Sequence, residues 1–173
     1  HGIFAATEVD MINKKLETAL NKQINEEMFS AYLYLSMSAY FHSLNLGGFA
    51  SWMKVQAQEE MSHAMKFFHF LEEMEGRVSL RTIQEPEKKW QSPLAAFTAV
   101  RQHEQHISGC INDLYRLAMA ENCYPMQIML QWFIKEQVEE EKNATGILDQ
   151  LKLVGDSGTP LFMLDRQLGA RAK

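Results

Sequence analysis

Four stretches of this chain carry apolar residues spaced three and four apart, and each is interrupted near its middle by acidic or amide residues. The spacing marks a helix with one buried face; the interruptions are what constrain the fold. The first stripe reads Leu20, Ile24, Glu27, Ala31, Tyr34, Ser38, and the second Met53, Gln56, Glu60, His63, Phe67, Phe70, Met74. The third is Phe97, Val100, Glu104, Ile107, Ile111, Leu114, and the fourth Leu130, Phe133, Gln137, Glu140, Ala144, Ile147, Leu151. Because the interruptions fall at similar heights, antiparallel packing gathers Glu27, Glu60, His63, Glu104, Gln137 and Glu140 at one level. A buried carboxylate without a partner costs several kcal/mol. No Lys or Arg lies on the stripes at that level. Two divalent cations would balance the four carboxylates, so the pattern calls for a bundle built around metal.

The breaks agree. A first helix over about 12–43 ends before Asn45-Leu46-Gly47-Gly48, and a second runs from about Gly48 to Glu75, closed by Gly76. Residues 77–92 hold Pro86, show no period and read as a long connection. Ser92 before Pro93 is an N-cap followed by proline at the first helical position, which opens a third helix to about Glu121. Asn122 to Tyr124 is a tight link, and Pro125 opens a fourth helix to about Val154. Gly155-Asp156-Ser157-Gly158 stops it, and Pro160 to Leu168 makes a short fifth helix. Helices of roughly 28 residues are about 42 Å long. Two short links and one long one specify an all-α four-helix bundle with one long crossover and a short C-terminal fifth helix.

Composition removes several function classes. Abundant Met (11) and Phe (10), scarce Pro (4) and no alternating β-branched stretch fit an all-α domain. The net charge of −5 comes without a basic block, which argues against nucleic acid as a partner. No apolar run approaches the roughly 18 residues of a membrane span. Residues 1–10 lack the features of a signal peptide and read as an N-terminal extension or expression remnant before Met11, with the domain occupying 11–173; a cytoplasmic location is expected. Cys110 and Cys123 fit no metal-ligand spacing and read as reduced, partly buried thiols, the sequence leaving a disulfide between them open.

Glu60-Met61-Ser62-His63 is an E-x-x-H pair that puts carboxylate and imidazole on one helical face. One carboxylate from each of two helices plus E-x-x-H pairs is the di-iron bundle arrangement. The oxygen-rich, histidine-poor set suits Fe(II) and Fe(III), with Mn or Zn as competitors. Glu136, Glu139 and Glu141 lie off the seam and, on spacing alone, form an ordinary acidic face. His42, His69, His103 and His106 read as surface residues, and Trp132 as packing.

At these residues the chain resembles the bacterial and archaeal non-haem ferritins over nearly all of 11–168. The stretches that carry the likeness are Asn25-Glu-Glu-Met-Phe-Ser-Ala-Tyr-Leu-Tyr34, Ala57-Gln-Glu-Glu-Met-Ser-His63, His103-Glu-Gln105 and Leu130-Gln-Trp-Phe-Ile-Lys-Glu-Gln-Val-Glu-Glu-Glu-Lys142. The resemblance implies one iron position at Glu27, Glu60 and His63 and a second at Glu60, Glu104 and Glu140, with Glu60 bridging and Gln137 adjacent. It implies a third iron site at Glu59, Glu136, Glu139 and Glu140, and an electron-transfer role for Tyr34. The haem-containing bacterioferritins carry a second E-x-x-H on the fourth helix; here Gln137 and Glu140 stand there, and although Met61 falls where they place a haem-ligating methionine, no haem is expected. The activity implied is oxidation of Fe(II) by O₂ or H₂O₂ and storage of Fe(III) mineral in a homo-oligomeric cage of 24 subunits. Off-seam Met61, Met65 and Phe68 support an oligomer. A small-molecule di-iron oxidase, a DNA-coating mini-ferritin and a metal-free bundle are the competing readings.

Overall fold

A computed structural model describes residues 11–171; the extension proposed over 1–10 lies outside them. Among the described residues five helices form, α1 Lys14–Ser43, α2 Gly47–Glu73, α3 Pro93–Ala120, α4 Tyr124–Val154 and α5 Gly158–Gly169. Asn13 caps α1 by accepting from the Leu16 amide, and Ser92 caps α3 by accepting from the Ala95 amide. Every stripe residue named above is buried.

The helix stops differ in detail from the expected ones. The residues in the left-handed region after α1, α2 and α3 are Asn45, Glu75 and Asn122, at φ 59°, 57° and 52°. Each of these ends closes with the paired bonds of a Schellman turn: Leu46 N to Phe41 O, Gly76 N to Leu71 O and Cys123 N to Ala118 O. Gly76 is therefore not the residue that turns the chain after α2. It is small because a Cβ there would meet Leu71 Cδ1 at 2.4 Å.

The crossover lies along α1, pinned by that helix's polar face. Glu17 accepts from the Arg77 amide, Asn21 bonds Arg77 O and Ser79 N, Asn25 reaches Thr82 O, and Ser36 donates to Glu87 O. This climb carries the chain from the start of α1 toward its end, so α3 begins beside Phe41 and descends parallel to α2. Helices α1 with α2 and α3 with α4 make the main pairings, and α5 docks on α2. That docking is close: a Cβ on Gly48 would lie 1.6 Å from Asp165 O, and Asp165 Oδ1 accepts from the Phe49 amide at 3.0 Å.

The core is divided. One apolar cluster holds Met37, Phe41, Phe49, Trp52, Phe97 and Leu148 with the buried leucines of α5. The other holds Leu20, Ile24, Phe67, Phe70, Ile111 and Leu130. Between them lies a polar belt made by the interruptions of the four stripes.

Candidate metal centre

Each helix delivers its polar group to the belt from a buried position on its seam. Glu27, Glu60, His63, Glu104, Gln137 and Glu140 are all at most 5% exposed, so all six groups that periodicity placed at this level meet away from water. Donor atoms of Glu27, Glu60 and His63 lie within 4.8 Å of one another, as do those of Glu60, Glu104 and Glu140. Glu60 belongs to both groups.

Side-chain donors orient the carboxylates. Gln23 donates to Glu27 Oε1 at 2.8 Å, and Gln56 donates to Glu60 Oε1 at 2.9 Å and Glu140 Oε2 at 2.7 Å. Tyr34 donates to Glu104 Oε1, and Gln137 to Glu104 Oε2 at 3.2 Å. His63 Nδ1 lies 3.3 Å from Glu60 Oε2 and 4.0 Å from Glu27 Oε2.

The charge balance is poor without a cation. Burial, then the charge of Glu60, pushes Glu104 up to about 8; burial, then Glu104 and Glu60, pushes Glu140 up to about 8. Glu27 is held well above the carboxylate range by burial and by Glu60. His63 shows the complementary effect: burial works to lower it, but its hydrogen bond to Glu60 and the neighbouring carboxylate charges win, and its pKa is raised. Burial and then Glu104 raise Tyr34, which stays a neutral phenol.

One atom tests whether metal fits. Glu27 Oε2 is fully buried, has no hydrogen-bond partner among the described residues and belongs to a group of donors at ligand spacing. A buried carboxylate oxygen left unpaired is costly, and a cation held among Glu27, Glu60 and His63 would supply the missing partner. The oxygen-rich set with one imidazole suits first-row divalent ions.

With this geometry in hand, likeness to known proteins becomes informative. The ferritin-like domain family matches residues 17–154. This chain belongs to the ferritin family. The ferritin chain is 44% identical over 161 residues to the bacterial non-haem ferritin of Bacteroides fragilis, covering 93% of this chain and 100% of that one. It is 37% identical to the bacterial non-haem ferritin of Campylobacter jejuni, covering 91% of this chain and 95% of the relative. In structure it is similar to an open-pore ferritin from the hyperthermophilic archaeon Archaeoglobus fulgidus, with TM-score 0.93, 47% identity, and 94% and 99% of the two chains covered. An engineered closed form of that protein gives TM-score 0.92 at 48% identity, covering 93% and 98%.

Outside the inner cluster the ferritin's candidate residues part company. Glu136 joins Glu140 and His63 at ligand spacing. Glu59 is instead held by Arg171, whose guanidinium bridges Glu59 Oε2 and Gln56 Oε1, while stacking 4.5 Å over Trp52. Glu139 is exposed and joins no donor group among the described residues.

His103 needs correcting. It is not a surface residue: its ring is half-buried, 2.7 Å from Ser30 Oγ and edge-on to Tyr34 at 5.9 Å. Burial lowers its pKa to about 4, so the imidazole is neutral. His42, His69 and His106 are exposed as expected. Trp132 is 40% exposed, lies edge-on to His63 and Phe133, and carries Lys66 over its ring at 4.0 Å. Both cysteines are free and half-buried.

Sequence reasoning missed Gln23 and Arg171, and placed Gln56 on the second stripe without a role at the site. Gln23 and Gln56 each stand four residues before a candidate ligand, Glu27 and Glu60, so each shares that carboxylate's helical face. That Q-x-x-x-E repeat was the available signal. Nothing local marks Arg171.

Proposed function

We propose that this chain is an iron-storage ferritin subunit that oxidises Fe(II) at the inner carboxylate centre. The observation that carries the proposal is the buried Glu27 Oε2, unpartnered among the described residues, inside a four-carboxylate, one-imidazole cluster to whose carboxylates no described Lys or Arg is bonded. Fe(II) is the substrate. One iron position is assigned to Glu27, Glu60 and His63, the other to Glu60, Glu104 and Glu140, with Glu60 shared. A shared carboxylate would hold the two ions at the roughly 3.5–4 Å spacing of two-metal sites, close enough to deliver two electrons to one oxidant. Two Fe(II) lose one electron each; O₂ with two protons becomes H₂O₂, or H₂O₂ with two protons becomes two waters. Anionic oxygen donors stabilise Fe(III) over Fe(II), which adds driving force. Gln137 stands beside the second position where a histidine would bind more tightly; a weaker second position favours passage of oxidised iron onward to a mineral.

Tyr34 donates a hydrogen bond to Glu104, and its assigned role is electron transfer beside the centre. Glu136 and Glu140 are the better-placed half of a third iron position; Glu59 joins it only when Arg171 lets go, and Glu139 only by turning inward. The store is a homo-oligomeric shell, assigned as 24 subunits. Exposed Tyr32, Leu35, Leu80 and Ile83 give the apolar surface that subunit contacts would cover. The cytoplasm is the assigned location, where the two thiols stay reduced.

The test mixes metal-free protein with Fe(II) and O₂ in a stopped-flow cell, with particle mass measured in parallel. A fast phase saturating at about two to three irons per chain, then slow uptake of much more iron by a large particle, is expected. Fast oxidation that stops at the site stoichiometry in a small oligomer points to an oxidase. Oxidation no faster than buffer removes the ferroxidase assignment.

A further inference from the structure

The turns that point Glu27 and Glu104 into the belt present Glu26 and His106 on the outside of the α1–α3 pair. One turn further along α3, Cys110 completes a second cluster. Glu26 Oε2 lies 3.0 Å from His106 Nε2, which lies 3.6 Å from Cys110 Sγ. All three donor atoms fall within 4.8 Å of one another, and among the described residues this is the one candidate ligand group that contains sulfur. The set is distinct from the inner centre and shares no residue with it.

We propose that Glu26, His106 and Cys110 form a site for one divalent transition-metal ion of borderline softness, Zn(II) in preference to Fe(II). Geometry supports this. Metal–nitrogen and metal–sulfur lengths of about 2.0 and 2.3 Å at tetrahedral angles put N and S roughly 3.6 Å apart and N and O roughly 3.3 Å apart. The observed edges are 3.6 and 3.0 Å. His106 and Cys110 are one helical turn apart, so a single rigid face holds two ligands, and Glu26 arrives from the facing helix. Glu26 and His106 also line an open cleft of about 420 Å³ with Phe29, Arg81, Thr82 and His103, so water can take the fourth position.

The donor chemistry selects the ion. A thiolate with one imidazole and one carboxylate favours Zn(II) or Co(II) over the harder ions that suit the all-oxygen side of the inner centre. Binding replaces the Cys110 S–H bond by a metal–sulfur bond and releases one proton to solvent. Besides Glu26, the charged groups acting on the thiol are Lys22, Asp113 and Glu27, and Arg81 is the cation of the cleft.

Sulfur makes the test clean. Co(II) added to the metal-free full chain also enters the inner centre, but that centre has no sulfur, so a sulfur-to-cobalt charge-transfer band in the near ultraviolet reports the outer site alone. Expected is a band saturating at one Co(II) per chain, abolished by Cys110→Ser, retained in Cys123→Ser and in Glu27→Ala, and displaced by Zn(II). His106→Gln weakens Co(II) binding at least tenfold, since losing even an outer-shell partner of a ligand costs about 10–100-fold. Helical circular dichroism identical to the parent shows that the variants are folded. No charge-transfer band, or a band lost in Cys123→Ser and kept in Cys110→Ser, overturns the site. Ferroxidase kinetics play no part in the readout, so the outcome is independent of the function proposed for the inner centre.

Discussion

Loading the inner centre should eject protons in a number that the carboxylate environment fixes. Glu104 and Glu140 sit at about 8, so at pH 7 each is about nine-tenths protonated, and together they hold about 1.8 protons. Glu27, held well above the carboxylate range, adds to this. Because a metal ion binds the deprotonated form, filling both positions at pH 7 releases about two to three protons per chain. At pH 9 the share of Glu104 and Glu140 falls to about 0.2. Zn(II), which has no redox chemistry, is the probe, titrated calorimetrically in buffers of different ionisation enthalpy. Cys110→Ser serves as the background, so that the outer thiol contributes no proton. The slope of apparent enthalpy against buffer enthalpy counts the protons. Release of less than about one proton at pH 7, or a count that does not fall toward pH 9, would refute the claim that these carboxylates are held neutral by burial and by one another.

The same shifts predict metal-free stability. A carboxyl raised in the folded state stabilises below its unfolded value near 4.5 and withdraws that contribution as pH rises through about 8; raised His63 acts in the same sense. His103, lowered to about 4, acts oppositely between about 4 and 6.5. Metal-free Tm should therefore fall between about pH 6.5 and 8 and recover with Zn(II); a flat profile there contradicts the balance. Glu104→Gln should stabilise the metal-free protein at pH 8 by about 1–3 kcal/mol while abolishing fast Fe(II) oxidation, and a destabilised variant in urea melts would count against it. Gly48→Ala should cost about 3 kcal/mol or more, because its methyl would overlap Asp165 O; unchanged Tm and unchanged resistance of α5 to limited proteolysis would show that α5 docks otherwise.

The fold was legible because one physical fact recurs four times: apolar residues at helical spacing broken by an acid at the same height. Glu27, Glu60, Glu104 and Glu140 could be assigned together since a seam position leaves a side chain one direction to point. Residues off the seam carry no such constraint. His103 sits one residue before Glu104, at the edge of the buried stripe, and only the packing of Ser30 and Tyr34 decides that it is covered. The acids Glu59 and Glu139 look alike in sequence, yet one is claimed by a guanidinium more than a hundred residues away and the other faces outward. The expected stop at Gly76 falls one residue late, since Glu75, like Asn45 and Asn122 at the breaks after α1 and α3, takes the left-handed turn. Their capping bonds outweigh the modest cost of that conformation for a non-glycine residue.

The segment after α5 is where one would attach a dye, an affinity handle or a fused cargo. In this chain that choice has a hidden cost. Arg171 donates to Gln56 Oε1, and the amide of the same Gln56 donates to Glu60 and Glu140. A fusion that tugs on residue 171 pulls on the acids at the heart of the bundle through one intervening side chain. Appended material should follow a spacer, and catalytic comparisons between tagged and untagged preparations ought to begin by checking that this short relay is intact.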